Sequence, residues 1–163
     1  MRLVAKFEVI GCRPVPWSVP QVFMKQGKNG GRYKSALRNK ELEFWQEYVK
    51  SFARDAMEGR EPCLGPAFAR VEFRFRHDDP ATHGRIWCPE VAWSEAKEAH
   101  VKKGDACPDA DNLFKGVLDA LQGIVLGNDV QVCVQCSSRR HWAGDGARVA
   151  VWEFTGAVAL LKV

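Results

Sequence analysis

The 163-residue chain lacks any hydrophobic run long enough to cross a bilayer. A membrane-spanning helix needs about eighteen or more consecutive apolar residues. A signal peptide is not indicated either, because residues 1–8 already alternate between apolar and polar side chains. We therefore expect a soluble, intracellular protein with no membrane partner.

Internal repeats, low-complexity segments and a strong charge imbalance are also missing. The composition is 46% hydrophobic and 27% charged, which excludes disordered and fibrous proteins. The length suits one core, so we expect a single domain over residues 1–163. Six cysteines without any sign of secretion predict reduced thiols. A net charge of +4 is only a mild indication of a polyanionic partner.

Two kinds of periodicity predict an α+β fold. Residues 35–59 and 108–123 repeat their apolar side chains at helical spacing, whereas residues 77–108 have no period and are expected to be irregular. Strands are predicted where apolar and polar residues alternate, at 2–10, 68–75, 130–140 and 148–154. This order has too few strand-to-helix alternations for a doubly wound parallel sheet. It favours a small mixed β-sheet of about four strands with two main helices.

A basic segment lies between residues 25 and 40, where the chain has no acidic residue. The Gly30-Gly31 pair in its middle predicts a mobile basic loop that runs into the first helix. Such a segment is either solvated surface or a surface that contacts phosphates. Its basic residues are Lys25, Lys28, Arg32, Lys34, Arg38 and Lys40.

The second predicted helix carries charged residues on one side. At about 100° per residue, Asp111, Lys115 and Asp119 share the face opposite the apolar stripe. Asp109 precedes this helix, and Asp129 follows a glycine-containing return that can bring the chain back towards it. Several carboxylates and a lysine can therefore converge.

Two interpretations of these residues remain open. Clustered carboxylates repel one another unless a cation neutralises them, and oxygen ligands favour Mg²⁺ or Mn²⁺. With a lysine alongside, such a cluster suits phosphodiester hydrolysis. Alternatively, Asp109 and Asp111 cap the helix, while Asp119 and Lys115 form a solvated pair.

One pattern runs through residues 108–131. It reads D-x-D-N-x-x-K-x-x-x-D-A-L from Asp109 to Leu121, and then a short return ends in Asn128, Asp129 and Gln131. This pattern resembles the signature of the RusA-type Holliday junction resolvases, D-x-D-N-x-x-K-x-x-x-D-A-L followed by D-D-x-Q. The chain departs from it at Asn128, where the family pattern has an aspartate.

The resemblance implies a homodimeric DNA endonuclease that selects four-way junctions and resolves them by paired symmetric nicks, leaving a 5′-phosphate. It implies a Mg²⁺ cofactor, for which Mn²⁺ can substitute, no small-molecule cofactor, and the cytoplasm of a bacterium or a phage-infected host. By matching positions, Asp109, Asp111 and Asp129 bind the metal and Lys115 assists catalysis. The implied DNA-binding residues are Lys25, Lys28, Arg32, Lys34 and Arg38. The alternative is a non-catalytic branched-DNA binding or phage DNA-packaging accessory protein.

Two further sets of residues carry weaker expectations. Cys133 and Cys136 form a C-x-x-C, but positions three apart in a strand point to opposite faces, so we expect two buried thiols and no zinc site. Apolar residues beyond what two helices need are expected at a dimer interface. These are Phe44, Trp45, Tyr48 and Phe52, together with residues 158–161.

Overall fold

The computed structural model describes residues 1–18, 39–87 and 109–155, together with the backbone of residues 21–26, 32–37, 91–94 and 99–102. It confirms the α+β class. The helices are α1 (Lys40–Met57) and α2 (Ala110–Leu121), and short 3₁₀ turns cover Pro80–Thr82 and Asp129–Gln131. The strands are β1 (Arg2–Ile10), β2 (Gln21–Gln26), β3 (Arg32–Leu37), β4 (Ala67–Arg76), β5 (Val91–Ser94), β6 (Ala99–Lys102), β7 (Val132–Trp142) and β8 (Gly146–Glu153).

Four of these strands form one mixed sheet in the order β1-β8-β4-β7. Strand β8 pairs antiparallel with β1 and with β4, whereas β4 and β7 are parallel. The predicted four-stranded mixed sheet is therefore confirmed. Two antiparallel hairpins, β2-β3 and β5-β6, accompany it.

The core lies between the sheet and the two helices. Alternate residues of β4, such as Ala69, Val71 and Phe73, are fully buried, as the period of two in the sequence predicts. Trp45 of α1 and Val117 of α2 are fully buried in the same cluster. No helix within the described ranges is long and apolar enough to cross a membrane.

The basic segment differs from its prediction. Residues Gln21–Gln26 and Arg32–Leu37 form a hairpin rather than a loop. Backbone hydrogen bonds between antiparallel strands do not depend on side-chain charge, and Gly30-Gly31 falls between the strands, as in many hairpins. Helix α1 therefore begins at Lys40 and not near residue 35, and the Asn39 side chain accepts hydrogen bonds from the N–H groups of Glu41 and Leu42.

Other predictions were wrong in detail. Residues 77–108 are not wholly irregular, since they contain a 3₁₀ turn and the β5-β6 hairpin. Trp45 does not belong to the surplus apolar surface, because it faces the core. Cys133 and Cys136 are exposed and not buried as predicted, because this part of β7 is not covered on either face. Residues 158–161 lie outside the described residues.

Gly146 permits the close contact between β8 and β1. A Cβ atom at this position would overlap the carbonyl oxygen of Val9, which is backbone and cannot rotate away. We expect Gly146→Ala to lower the free energy of unfolding in urea by about 1–3 kcal/mol, the usual range for overpacking. Gly144→Ala is the matched control, because nothing lies within 4 Å of its added Cβ. Equal stability of the two variants would contradict this account of the β1-β8 contact.

Candidate active site

Asp109 occupies the N-cap position of α2. Its backbone is extended, with φ −65° and ψ 137°, and its carbonyl oxygen accepts a hydrogen bond of 3.0 Å from the N–H of Leu113. Its side chain, however, makes no capping hydrogen bond. Since an aspartate usually caps through its carboxylate, the structure does not support side-chain capping as the reason for this residue.

The charged side of α2 turns away from the core, as the helical wheel predicts. Asp111 and Lys115 are exposed and Asp119 is half-buried, whereas Leu113 and Val117 on the opposite side are fully buried. We call Asp111, Lys115 and Asp119 the acidic face. At about 1.5 Å per residue, its two aspartates are separated by about 12 Å along the helix axis.

A proline-containing segment, residues 12–18, crosses α2 beside the acidic face. The N–H of Trp17 donates a 2.9 Å hydrogen bond to the carbonyl oxygen of Asn112, and the Lys115 ammonium lies 4.3 Å from the centre of the Trp17 ring. Among the described side chains, Lys115 and Asp119 form no salt bridge with each other. A lysine that precedes an aspartate by four residues is the less favourable orientation for a helical pair. The ring of Trp17 therefore holds the ammonium.

Gly116 explains how this segment comes so close to the helix. A Cβ atom there would lie 3.3 Å from the carbonyl oxygen of Val15 and 3.4 Å from Cδ1 of Leu42. A glycine in the middle of a helix costs about 1 kcal/mol relative to alanine. A glycine within a helical pattern is a sequence signal for a close backbone approach, and the apolar period of the helix does not show it.

The return after α2 is fixed by Gln131. Its side-chain oxygen accepts a 2.7 Å hydrogen bond from the N–H of Asn128, and its amide nitrogen donates to the carbonyl oxygens of Cys63 and Gly65 at 3.2 and 3.0 Å. The Asn128 side chain in turn accepts a 3.0 Å bond from the N–H of Val130. An asparagine can accept this bond as an aspartate can, so the departure from the family pattern preserves the turn around Asp129.

The charges around Asp119 show which groups the fold brings together. Burial raises the pKa of the Asp119 carboxyl, the nearby Lys115 ammonium opposes this rise, and the Asp129 carboxylate adds to it. The 3₁₀ turn Asp129–Gln131 also contacts α2 directly. The return brings Asp129 back to α2, as the sequence predicted.

The structure does not gather the predicted metal-binding residues into one group, and it describes only part of the predicted DNA-binding residues. Within residues 1–18, 39–87 and 109–155, no three His, Cys, Asp or Glu side chains lie close enough together to hold a metal ion. Asp109, Asp111 and Asp129 therefore do not form such a group. For the basic residues, the structure describes only the backbone of Lys25, Arg32 and Lys34, while Lys28 and Arg38 lie outside the described residues.

Comparison with known families decides what this chain is. The family model described as endodeoxyribonuclease RusA matches residues 14–152, which is most of the chain. The chain belongs to the RusA family. No curated protein matches it. The match covers both helices of this RusA-family protein and all of the residues of its acidic face, and it identifies the chain as an endodeoxyribonuclease.

The raised pKa of Asp119 predicts a pH-dependent stability. A carboxyl whose pKa is higher in the folded state opposes folding once it ionises, so its cost appears as the pH rises above about 3.8, its ordinary value. We expect Asp119→Asn to unfold at a higher urea concentration than the wild type at pH 7, and the two midpoints to converge as the pH falls towards 3.8. A less stable variant at pH 7 would contradict the burial of this charge.

Proposed function

We propose that this RusA-family endodeoxyribonuclease is a Mg²⁺-dependent enzyme that selects branched DNA and resolves Holliday junctions by paired symmetric nicks. The observation that carries the proposal is the acidic face of α2, on which Lys115 is held by Trp17 and near which Asp129 returns. Side-chain capping does not explain Asp109. The family match supports the same chemistry.

Asp109, Asp111 and Asp129 are the proposed metal ligands. All three offer oxygen atoms, which hard divalent cations such as Mg²⁺ and Mn²⁺ prefer. Burial is the largest cause of the raised pKa of the neighbouring Asp119, and the Asp129 carboxylate adds to it, so the negative charge of Asp129 acts on this side of α2. The proposal requires the three carboxylates to come closer together than they lie in this structure.

The roles of the side chains follow from their chemistry. Asp109, Asp111 and Asp129 would hold the Mg²⁺, which would activate a water molecule and shield the charge of the scissile phosphate. The Lys115 ammonium stabilises the negative charge that develops on the phosphate during attack, and the Trp17 ring orients this ammonium. Cleavage of the bond to the 3′ oxygen then leaves a 5′-phosphate and a 3′-hydroxyl.

The basic segment is the proposed DNA contact outside the acidic site. Three of its cations, Lys25, Arg32 and Lys34, belong to the β2-β3 hairpin, and Lys28 and Arg38 flank its strands in the sequence. Cations near a nuclease site hold phosphates without reading the bases, which suits an enzyme that selects the shape of DNA.

We also propose that residues 1–163 act as one RusA-like domain, that two copies form a homodimer, and that the enzyme works in the cytoplasm of a bacterium or a phage-infected cell. Paired nicks need two acidic sites related by a two-fold axis. Phe44 supports an interface on α1, since 65% of its surface is exposed and its ring stacks on Tyr48 at 6.0 Å.

Asp111→Asn tests the acidic site. We expect the variant to lose cleavage of a synthetic four-way junction in Mg²⁺, because a neutral amide replaces a metal ligand. It should bind the junction as well as the wild type or better, because a carboxylate that repels phosphate is gone. The measurements are gel-based cleavage and a mobility shift in the same buffer. Wild-type cleavage by the variant would contradict the site, and a wild type that binds without cutting would favour the accessory-protein alternative.

The oligomeric state tests the paired-nick mechanism. We expect sedimentation equilibrium at micromolar concentration to give about twice the 18.3 kDa mass of the chain. Phe44→Glu should shift the protein towards the monomer, whereas Leu64→Glu, at a position 81% exposed, serves as the control. A strict monomer that still cuts junctions would indicate sequential nicking by single subunits.

A further inference from the structure

The sheet face that looks away from both helices carries an ordered grid of side chains. We call it the open sheet face. Strand pairing defines its rows, which run across β1, β8, β4 and β7 about 6.8 Å apart. The first row is Leu3, Trp152, Phe68 and Val134; the second is Lys6, Ala150, Arg70 and Cys136; the third is Glu8, Arg148, Glu72 and Ser138.

The first row is an aromatic shelf. The rings of Phe68 and Trp152 stack with their centres 5.1 Å apart and their planes within 17° of each other. Both residues are only half-buried, although they belong to the two central strands of the sheet. Aromatic rings presented in this way on a sheet are platforms on which nucleic-acid bases stack.

The third row contains the two carboxylates of this face, Glu8 and Glu72, and both form ion pairs. Glu8 pairs with Arg148 at 2.7 Å and with Arg74 at 3.2 Å. Glu72 pairs with Arg74 at 3.1 Å and with Arg140 at 3.2 Å. Each carboxylate on this part of the sheet is therefore already shared between two arginines.

The second row holds the cations that remain. Lys6 and Arg70 are both exposed, and among the described residues neither has a salt bridge. They flank Ala150, whose small side chain leaves a depression between them. The resulting cavity has a volume of about 320 Å³, and its lining includes Lys6, Arg70, Trp152 and the ion-paired Glu72 and Arg148.

The positive charge of the open sheet face and its stacked Phe68 and Trp152 rings together indicate the class of ligand. Five cations (Lys6, Arg70, Arg74, Arg140 and Arg148) face two carboxylates (Glu8 and Glu72), so the open sheet face favours an anion. A duplex offers phosphates but hides its bases in their stack, whereas a single strand offers both. The spacing of the rows lets one nucleotide place its phosphate between Lys6 and Arg70 and its base on the Trp152 ring.

We propose that the open sheet face is a second nucleic-acid site, which binds unpaired nucleotides of single-stranded DNA through Lys6, Arg70 and the Phe68-Trp152 shelf. It lies on the opposite side of the sheet from the helix that carries the acidic face. The inference goes beyond the proposed nuclease function, because it concerns binding alone and does not require the acidic residues to be catalytic. In a nuclease that acts on branched DNA, such a site holds a strand that has unpaired at the branch point.

Fluorescence anisotropy of the full chain tests the proposal. The probe is a labelled oligothymidylate of about twelve nucleotides, in buffer with EDTA so that no metal-dependent cleavage occurs. We expect the wild type to bind it, and the double variant Lys6→Ala/Arg70→Ala to bind at least about tenfold more weakly. The slope of log K against log salt should fall by about 1.4, since each lost contact to a single strand contributes about 0.7.

A charge-matched control isolates the open sheet face. Lys50→Ala/Arg54→Ala removes two cations from α1, on the other side of the sheet, and should leave the affinity for the oligothymidylate within about twofold of the wild type. Trp152→Leu should weaken binding several-fold, while Trp152→Phe keeps a ring on the shelf and most of the affinity. Lys6 and Arg70 are exposed, so their test stands even where a Trp152 variant does not fold.

Four outcomes would overturn the proposal. They are no binding by the wild type, an unchanged affinity of the Lys6→Ala/Arg70→Ala variant, an equal loss of affinity for a duplex of the same length, and a change of oligomeric mass in that variant. An equal loss for the duplex means a general phosphate surface, and a change of mass means that a second copy covers this face. None of these measurements uses cleavage, so an inactive acidic site would leave the single-strand result unchanged.

Discussion

The packing of α2 against the inner face of the sheet is the constraint on which the rest of the site depends. Leu113, Val117 and Leu121 are completely buried there. Their burial fixes the rotation of the helix about its own axis and its distance from the sheet. Because side chains on a helix keep fixed angular relations, the same packing turns Asp111 and Lys115 outward. Packing of the apolar side of α2 therefore orients the charged side, although the two sides make no direct contact.

Two local devices complete the site around this helix. Gly116 lets the proline-containing segment pass close enough for Trp17 to bond to the helix backbone and hold the Lys115 ammonium. Gln131 ties the return after α2 to the chain at residues 63–65, which sets the position of Asp129. Neither residue needs to touch DNA to affect the proposed site, since each acts on the position of a charged neighbour.

The two sides of the sheet serve different chemistry. The inner face is closed by the helices and supplies the core, whereas the open face keeps a network of arginines and glutamates, an aromatic stack and two cations without a described ion-pair partner. The hydrogen bond from Arg148 lowers the pKa of the Glu8 carboxyl, partial burial opposes this, and the charge of Arg74 adds to the lowering. The resulting surface is positive, on a molecule whose α2 presents an acidic face elsewhere.

The sequence alone determined the class of the fold, the four strands of the main sheet, helix α2 and its charged face, because each rests on local periodicity. Its pattern from Asp109 to Gln131 also resembles the signature of the family that the family match then showed. Periodicity failed in the basic segment, since the pairing of β2 with β3 depends on backbone hydrogen bonds, which form without an alternation of apolar and polar side chains. It failed for Cys133 and Cys136, because whether other elements cover this part of β7 depends on the packing of the whole fold.

Only the tertiary structure decided which residues the side chains of the site contact. The contact of Lys115 with Trp17 joins residues 98 positions apart in the chain, and the ties of Gln131 to Cys63 and Gly65 span 68 and 66 positions. The rows of the open sheet face combine four strands whose order in space differs from their order in the chain. A helical or strand period records which side of an element a residue occupies. Which residue of another element it contacts is decided by tertiary packing, and the periodicity of a single segment holds no information about that packing.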